Sequence, residues 1–409
     1  MKTYVVIGNS AAGLTAVNAL RKLNQEAKIF CISKEKERPY NKCKLADFLA
    51  GRLQEGDVLT FFKDVLKDEN IDLLLGKRVI KIMSDNKCVL LENGEKISYD
   101  KLLIATGAFA VKPEIKGGNL DGVFTFHTLQ DTNNILDFIA KHNPKKAVII
   151  GSGVTGLECA DALYSRGLDV SIVERNAHVL LRQSDLVGST LIEQRMRKLG
   201  VRVYLQQCVK NLEGQNGQIK KVILESGKVL EADIVICAIG VRPNVKLAKE
   251  VGLCTATCGI VVNEYMQTSV EDIYAAGDAV CVKDFITGNT VRSCTWPDAC
   301  MQAHVAAKSM ICSTKVFVDV SGEKTQKYNG TFSLVSSEFF GMKFASCGPV
   351  SIFDADCQMY IKNHDTFYNK ILLKDNLVKG FLLVGDTSKL GVLNRYLMSG
   401  QKIDLESIY

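Results

Sequence analysis

The chain of 409 residues has no C-x-x-C pair, no regular cysteine spacing, no apolar run long enough to cross a membrane and no block of like charge. Each absence removes a class. A zinc ribbon, a C-x-x-C dithiol and a secreted disulfide framework are all excluded by the cysteine pattern. Cys254 and Cys258 form a C-x-x-x-C without a second ligand pair or a neighbouring histidine, so no metal site is expected. Lacking a membrane-length run and a charged-then-apolar leader, the chain is expected to be cytoplasmic, with no membrane insertion. The formal charge of +6 is carried by scattered lysines, which argues against nucleic acid and suits an acidic protein partner.

Cysteine itself is abundant. Most of the 14, such as Cys31, Cys159, Cys237 and Cys281, lie inside apolar segments, where a thiol serves as a small buried hydrophobe in a reducing compartment. With 47% hydrophobic and 23% charged residues the composition is that of a soluble globular protein, long enough for two or three domains.

The chain opens on Tyr4-Val5-Val6-Ile7, a β-branched run stopped by Gly8, and Gly13 then begins the helix-forming stretch Leu14 to Leu20. Strand, tight turn and helix make an anion site, because the first amides of the helix lack internal partners. The pattern Gly8-x-Ser10-x-x-Gly13 keeps a small residue where the usual fingerprint has its middle glycine; Ser10, Ala11 and Ala12 line the turn. Ala27 to Ser33 reads as the next strand, and Glu35, just past its end, is the candidate for an adenosine ribose.

The fingerprint returns unbroken in mid-chain. Lys146 to Ile150 is a strand, Gly151-x-Gly153-x-x-Gly156 the turn, enclosing Val154 and Thr155, and Leu157 to Leu163 the helix. A second strand, Asp169 to Val173, ends on Glu174, 18 residues past the last glycine, where an acid accepts from the ribose hydroxyls. Glu174 would repel a 2'-phosphate, so NADH is expected before NADPH, although Arg175 and His178 lie near it. Both units close alike: Tyr99 to Gly107, including Ala105 and Thr106, parallels Glu231 to Gly240, and the spans from first to closing glycine are 99 and 89 positions. Such a duplication predicts two dinucleotides in one chain.

Four strings carry a family resemblance. Arg38-Pro39-Tyr40-Asn41-Lys42-Cys43-Lys44-Leu45 resembles the P-Y-x-[RK]-x-x-L segment of FAD-dependent pyridine nucleotide oxidoreductases of the NADH:rubredoxin oxidoreductase and ferredoxin reductase type. The L-x-I-A-T-G ending at Gly107, the I-Y-A-A-G-D ending at Asp278 and the W-P-x-A-x-x-Q-A beginning at Trp296 are similar to further motifs of that family. The resemblance implies an α/β fold of two tandem Rossmann-like dinucleotide-binding domains, for FAD and NADH, plus a small C-terminal α+β domain. It implies Lys42 beside the flavin ring, Gly277 and Asp278 at the ribityl chain and flavin phosphates, Trp296 opening a helix toward the flavin, and Glu158 near the nicotinamide.

Cys43 departs from this pattern. The NADH oxidase and coenzyme A disulfide reductase branch has its single redox cysteine at the matching place, eight residues before a glycine as Cys43 precedes Gly51. Lys42 and Lys44 would keep such a thiol ionised. That branch also has a histidine where this chain has Ala11, and a longer terminal domain. The main expectation is therefore an NADH:acceptor oxidoreductase that passes electrons through FAD to rubredoxin, ferredoxin or another iron-sulfur partner. The alternatives are a Cys43-dependent NADH oxidase or coenzyme A disulfide or persulfide reductase, and a nucleotide-binding redox sensor or interaction subunit. Oligomeric state is left open.

The expected domains are a discontinuous FAD domain at 1–110 and 246–318, an NAD(H) domain at 111–245 and a cap at 319–409. Within the first, Val58 to Leu66 reads as helical, and Glu92 to Glu95 turns a hairpin. In the cap, Thr331 to Ser336, Lys343 to Gly348, Phe367 to Leu373 and Leu377 to Val384 read as short alternating strands before a helix from Leu390 to Met398.

Overall fold

The computed structural model describes residues 1–59, 68–312, 327–350 and 356–403. The chain divides into two compact units: Met1–Lys44, Gln54–Phe109 and Val241–Ser333 form one, and Leu45–Leu53, Ala110–Gly240 and Leu334–Tyr409 the other.

In the first unit five parallel strands run in the order Ile273–Ala275, Lys101–Ile104, Thr3–Ile7, Lys28–Ile32, Ile71–Leu74. Tyr4, Val5 and Val6 of the central strand are wholly buried, as a parallel sheet covered on both faces demands. The helices Ala11–Leu23 and Trp296–Ile311 pack together through small residues, Ala16, Ala303 and Ala306 among them. Because Thr3–Ile7 is flanked by the strand that follows it on one side and by Lys101–Ile104 on the other, the winding reverses there. That reversal opens a crevice at the strands' carboxyl ends, where Gly8 and Ala105 lie.

The hairpin at Glu92 to Glu95 joins Cys88–Leu91 to Lys96–Ser98 in antiparallel register. Val58 ends the short helix Glu55–Val58, and most of the helix expected from Val58 to Leu66 lies outside the described residues. Cys281, expected as a lone buried thiol, is joined to Cys258, their Cα atoms 5.4 Å apart. The cause is tertiary: Gly259–Val261 runs parallel beside Val280–Lys283 and carries the preceding turn onto Cys281.

The second unit repeats the plan. Its parallel sheet has the order Arg202–Tyr204, Asp169–Val173, Lys146–Ile150, Ile234–Cys237, Val123–Thr125, with an antiparallel three-stranded sheet beside it in sequence. Its C-terminal part is a five-stranded antiparallel sheet in the order Val335–Phe339, Met342–Cys347, Leu377–Gly385, Phe367–Lys374, Gln358–His364, covered by the helix Leu390–Ser399. Three expectations change here. The strand sought at Thr331 begins instead at Val335, because Gly330 and Ser333 take positive φ and Thr331 turns its side chain inward. Gln358–His364 is a strand that the hydrophobic pattern hides, exposed at most positions. Phe367–Lys374 does not alternate; six consecutive residues are buried because both faces are covered.

Among the described residues no helix is long and apolar enough to cross a membrane, and no group of His, Cys, Asp and Glu is arranged to hold a metal.

Candidate functional site

The first unit gathers the first glycine turn, the end of the strand Lys101–Ile104 and the Gly277-Asp278 motif at one end of its sheet. Gly8 donates its amide to the Ile32 carbonyl at 2.8 Å, which ties the turn to the neighbouring strand. A Cβ on Gly13 would stand 1.8 Å from the Gly8 carbonyl oxygen, so helix and turn touch with no room for a side chain. Ser10 is the N-cap of the helix Ala11–Leu23 and makes no side-chain capping bond. Ala11 and Ala12 in its first turn are buried.

Asn9 was not singled out from the sequence, yet it is buried, accepts from Ser33 Oγ at 2.9 Å and leaves its Nδ2 without a partner. A buried donor without an acceptor costs about 1–3 kcal/mol unless a ligand supplies one. Its signal was its place directly after Gly8. Glu35 stands beside it, its amide bound to Ser33 Oγ and its Oε2 accepting from the Tyr40 hydroxyl at 2.8 Å.

Ala105 is buried and its amide donates to the Ile7 carbonyl, while Thr106 and Gly107 are zipped to Asn244: Thr106 Oγ1 donates to the Asn244 carbonyl and Asn244 Nδ2 to the Thr106 carbonyl, both at 2.9 Å, and the Asn244 amide donates to the Gly107 carbonyl. Gly277 comes so close to the first helix that a Cβ there would lie 3.0 Å from that of Ala12. Burial raises the carboxyl pKa of Asp278, while Lys42 and then Arg292 draw it back down, so Lys42 and Asp278 share one electrostatic environment. Trp296 begins its helix with Thr295 as N-cap and Pro297 in the first turn. Cys43 is exposed in the short turn Lys42–Lys44, its amide donating to Asn41 Oδ1 at 3.0 Å. Cys208, Cys254 and Cys294 are exposed as well, so exposure does not single it out.

The second unit builds its own glycine turn. A Cβ on Gly156 would lie 2.2 Å from the Gly151 carbonyl, whereas one on Gly153 would meet nothing within 4 Å. Closed below and open above, the turn leaves its free face at the start of the helix Val154–Ser165, next to exposed Thr155. An anion there meets amides that the helix cannot satisfy.

Glu174 is buried, accepting from the Ser152 amide at 2.8 Å, Ser152 Oγ at 2.7 Å and the Asn176 amide at 2.8 Å. Burial alone would raise its pKa, but these bonds outweigh it and hold the carboxyl below its ordinary value. Arg175 is exposed, while His178 Nδ1 is engaged by Ser189 Oγ at 2.9 Å. Gly240 is exposed at positive φ. Glu158 accepts from Ser337 Oγ at 2.7 Å; burial lifts its pKa, Ser337 opposes, and Asp47 adds to the rise. Asp47 itself pairs with Arg52, which also holds Asp161 at 2.9 Å.

The residues present fit two dinucleotides: each unit offers a glycine turn at a helix start with an acid beside it, and the first adds a buried donor, Asn9 Nδ2, that has no partner. Residues 2–309 match the family described as pyridine nucleotide-disulphide oxidoreductase. The chain is 38% identical over 312 residues to an NADH oxidase of Methanocaldococcus jannaschii, covering 75% of this chain and 69% of that protein. It is 31% identical to rubredoxin-NAD(+) reductase of Pseudomonas putida, over 76% of this chain and 80% of that one. A solved NAD-dependent persulfide reductase from A. fulgidus superposes with a TM-score of 0.88 at 27% identity, covering 98% of this chain and 78% of the other. Of two longer relatives the chain spans 46% and 47%.

Proposed function

The chain belongs to the pyridine nucleotide-disulphide oxidoreductase family, and from that premise we propose an NADH:acceptor oxidoreductase that passes electrons by way of bound FAD to a redox protein. The observation that carries this reading is the duplicated glycine turn, each copy with its own acid and helix start. In this reading the first unit holds FAD through Gly8 to Gly13, Glu35, Lys42, Ala105 to Gly107, Gly277, Asp278 and Trp296. The second holds NADH through Gly151 to Gly156, Glu158, Glu174, Arg175 and Gly240. When bound, FAD would take a hydride from NADH and release electrons one at a time, chemistry that belongs to the cofactors.

The task left to the side chains is binding and alignment. Asn9 Nδ2 and the helix amides supply donors to the flavin nucleotide, and Asp278 accepts from a ribityl hydroxyl. Glu174, held ionised, accepts from the NADH ribose and repels a 2'-phosphate. The partner is rubredoxin, ferredoxin or another iron-sulfur protein, in keeping with the similarity to rubredoxin-NAD(+) reductase and with a net charge of +6 that attracts an acidic surface. A cytoplasmic setting fits this partner class.

The test is anaerobic mixing with NADH. The yellow chromophore bleaches with about one equivalent in this reading; a purified protein that is yellow and does not bleach removes it. Replacing Glu174 by alanine is expected to lower kcat/KM for NADH by about 10- to 100-fold, the worth of a charged hydrogen bond, and to spare NADPH. A ratio unchanged between the two nucleotides would take Glu174 out of the ribose site.

The second reading, a thiol-using reductase, rests on exposed Cys43 between Lys42 and Lys44 and on the likeness to a persulfide reductase. Dithionite titration separates the two: a redox cysteine takes up two electrons beyond the flavin, and Cys43→Ser then abolishes turnover. In an electron carrier the same change leaves NADH:dye activity near that of the parent. Absence of any NADH oxidation with a dye acceptor would leave a redox sensor or interaction subunit.

A further inference from the structure

One buried polar chain in the first unit links the helix that Trp296 opens to the Gly277-Asp278 turn. Asp298 is 4% exposed, Gln302 0% and Tyr328 9%. An acid three residues into a helix commonly reaches back to the N-cap amide. Asp298 does not: its Oδ2 accepts from Ser293 Oγ at 2.5 Å, from Thr295 Oγ1 at 3.0 Å and from Thr331 Oγ1, and its Oδ1 accepts from the Tyr328 hydroxyl at 3.3 Å. Tyr328 in turn accepts from Gln302 Nε2 at 3.3 Å, and Gln302 Oε1 accepts from the Gly277 amide at 2.7 Å.

The direction of this chain is forced. A backbone amide can only donate, so Gln302 must present its oxygen to Gly277 and its NH2 to Tyr328. A phenol that receives from that NH2 has one proton left, and a carboxylate, which can only accept, takes it. Reversing Gln302 would set NH2 against N–H at one end. Asp298 therefore orders the protons of Tyr328 and Gln302, and through them holds the Gly277 amide in the turn that presents Asp278.

We infer that Asp298 and Tyr328 are positioning residues acting through Gln302 to keep the Gly277-Asp278 turn in the form that binds the ribityl and phosphate part of FAD. This rests on the assignment of Asp278 to FAD made above. A residue that merely stabilises the fold would act on the whole unit; one that acts through Gln302 loses its effect once Gln302 is gone.

The experiment is a mutant cycle on the purified holoprotein, following FAD release on dilution by its fluorescence and the visible circular dichroism of the bound flavin. Asp298→Asn and Tyr328→Phe are each expected to speed release by about tenfold, the worth of one strong hydrogen bond, and to change the flavin dichroism. Asp298→Asn with Gln302→Met is expected to release FAD no faster than Gln302→Met alone. Release rates that multiply in the double variant, or single variants that match the parent, overturn the inference. Where Asp298→Asn fails to fold, Tyr328→Phe, which removes one oxygen, carries the same cycle. A parent protein that folds without FAD overturns the functional reading, and this inference with it; unaltered variants of a yellow parent overturn this inference alone.

Discussion

Gly13→Ala is expected to purify with less bound flavin than the parent. The new Cβ would sit 1.8 Å from the Gly8 carbonyl oxygen, so the helix Ala11–Leu23 must move off the turn or the turn must open. Gly8 cannot yield easily, since its amide is committed to Ile32 and its own Cβ position lies 2.1 Å from the Ala105 carbonyl. Overpacking of this kind costs about 1–3 kcal/mol. Taken from the binding of FAD, that is about a tenfold to hundredfold rise in Kd. Absorbance at the flavin band relative to protein reads it directly. Gly156→Ala, 2.2 Å from the Gly151 carbonyl, is the counterpart in the second unit, expected to raise the KM for NADH and to leave the yellow colour intact. If Gly13→Ala keeps its flavin, or Gly156→Ala loses it, the assignment of the two nucleotides to the two units fails.

Asp185→Ala is expected to cost the second unit about 3–5 kcal/mol, the range found on removing one partner of a buried ion pair. Lys370 is 3% exposed in the middle of Phe367–Lys374, and its Nζ donates to Asp185 Oδ2 and to the Val350 carbonyl, both at 2.9 Å. The same carboxylate accepts from the Tyr368 hydroxyl at 2.9 Å and caps the helix Leu186–Lys198 through the Gly188 amide at 3.0 Å. One substitution thus removes a cap, a buried hydroxyl's acceptor and a counter-charge. Urea unfolding followed by far-ultraviolet circular dichroism measures the loss; a shift of the midpoint no larger than that of an exposed Asp→Ala change would contradict it. Asp185→Leu with Lys370→Met is expected to be more stable than Asp185→Ala, because an apolar pair leaves no charge to bury.

The pH dependence follows in sign. Burial would raise the Asp185 carboxyl, but the Gly188 amide, Lys370 and Tyr368 outweigh it and hold it below its ordinary 3.8. A depressed folded pKa means that the stabilisation is complete above the unfolded value near 3.8 and fades as the pH falls through the folded one. The difference between parent and Asp185→Ala therefore narrows only in strong acid.

The two nucleotide motifs were legible in the sequence because they are local. Strand, glycine turn, helix and acid are set by β-branched runs, by positions where a Cβ cannot fit and by spacing along one stretch of chain, so Gly8 to Gly13 and Gly151 to Glu174 show themselves without a fold. Their repetition could be read the same way; the full strand order could not, since the edge strand Ile273–Ala275 comes late in the first unit whereas Val123–Thr125 precedes the glycine turn of the second. Asn9, Gln302 and Asp298 were not legible as a group, since nothing in their neighbours along the chain tells a buried amide or acid from a solvated one. Asp298 meets Thr331 across 33 positions, and Lys370 meets Asp185 across 185. The Cys258–Cys281 bond and the six-residue buried run within Phe367–Lys374 belong to that second kind. Sequence alone determined which segments form strand, glycine turn and helix, because backbone geometry and helix ends act within a few residues. Tertiary structure alone decided which polar groups are shut away from water and must find partners, because burial is a property of what the rest of the chain brings alongside.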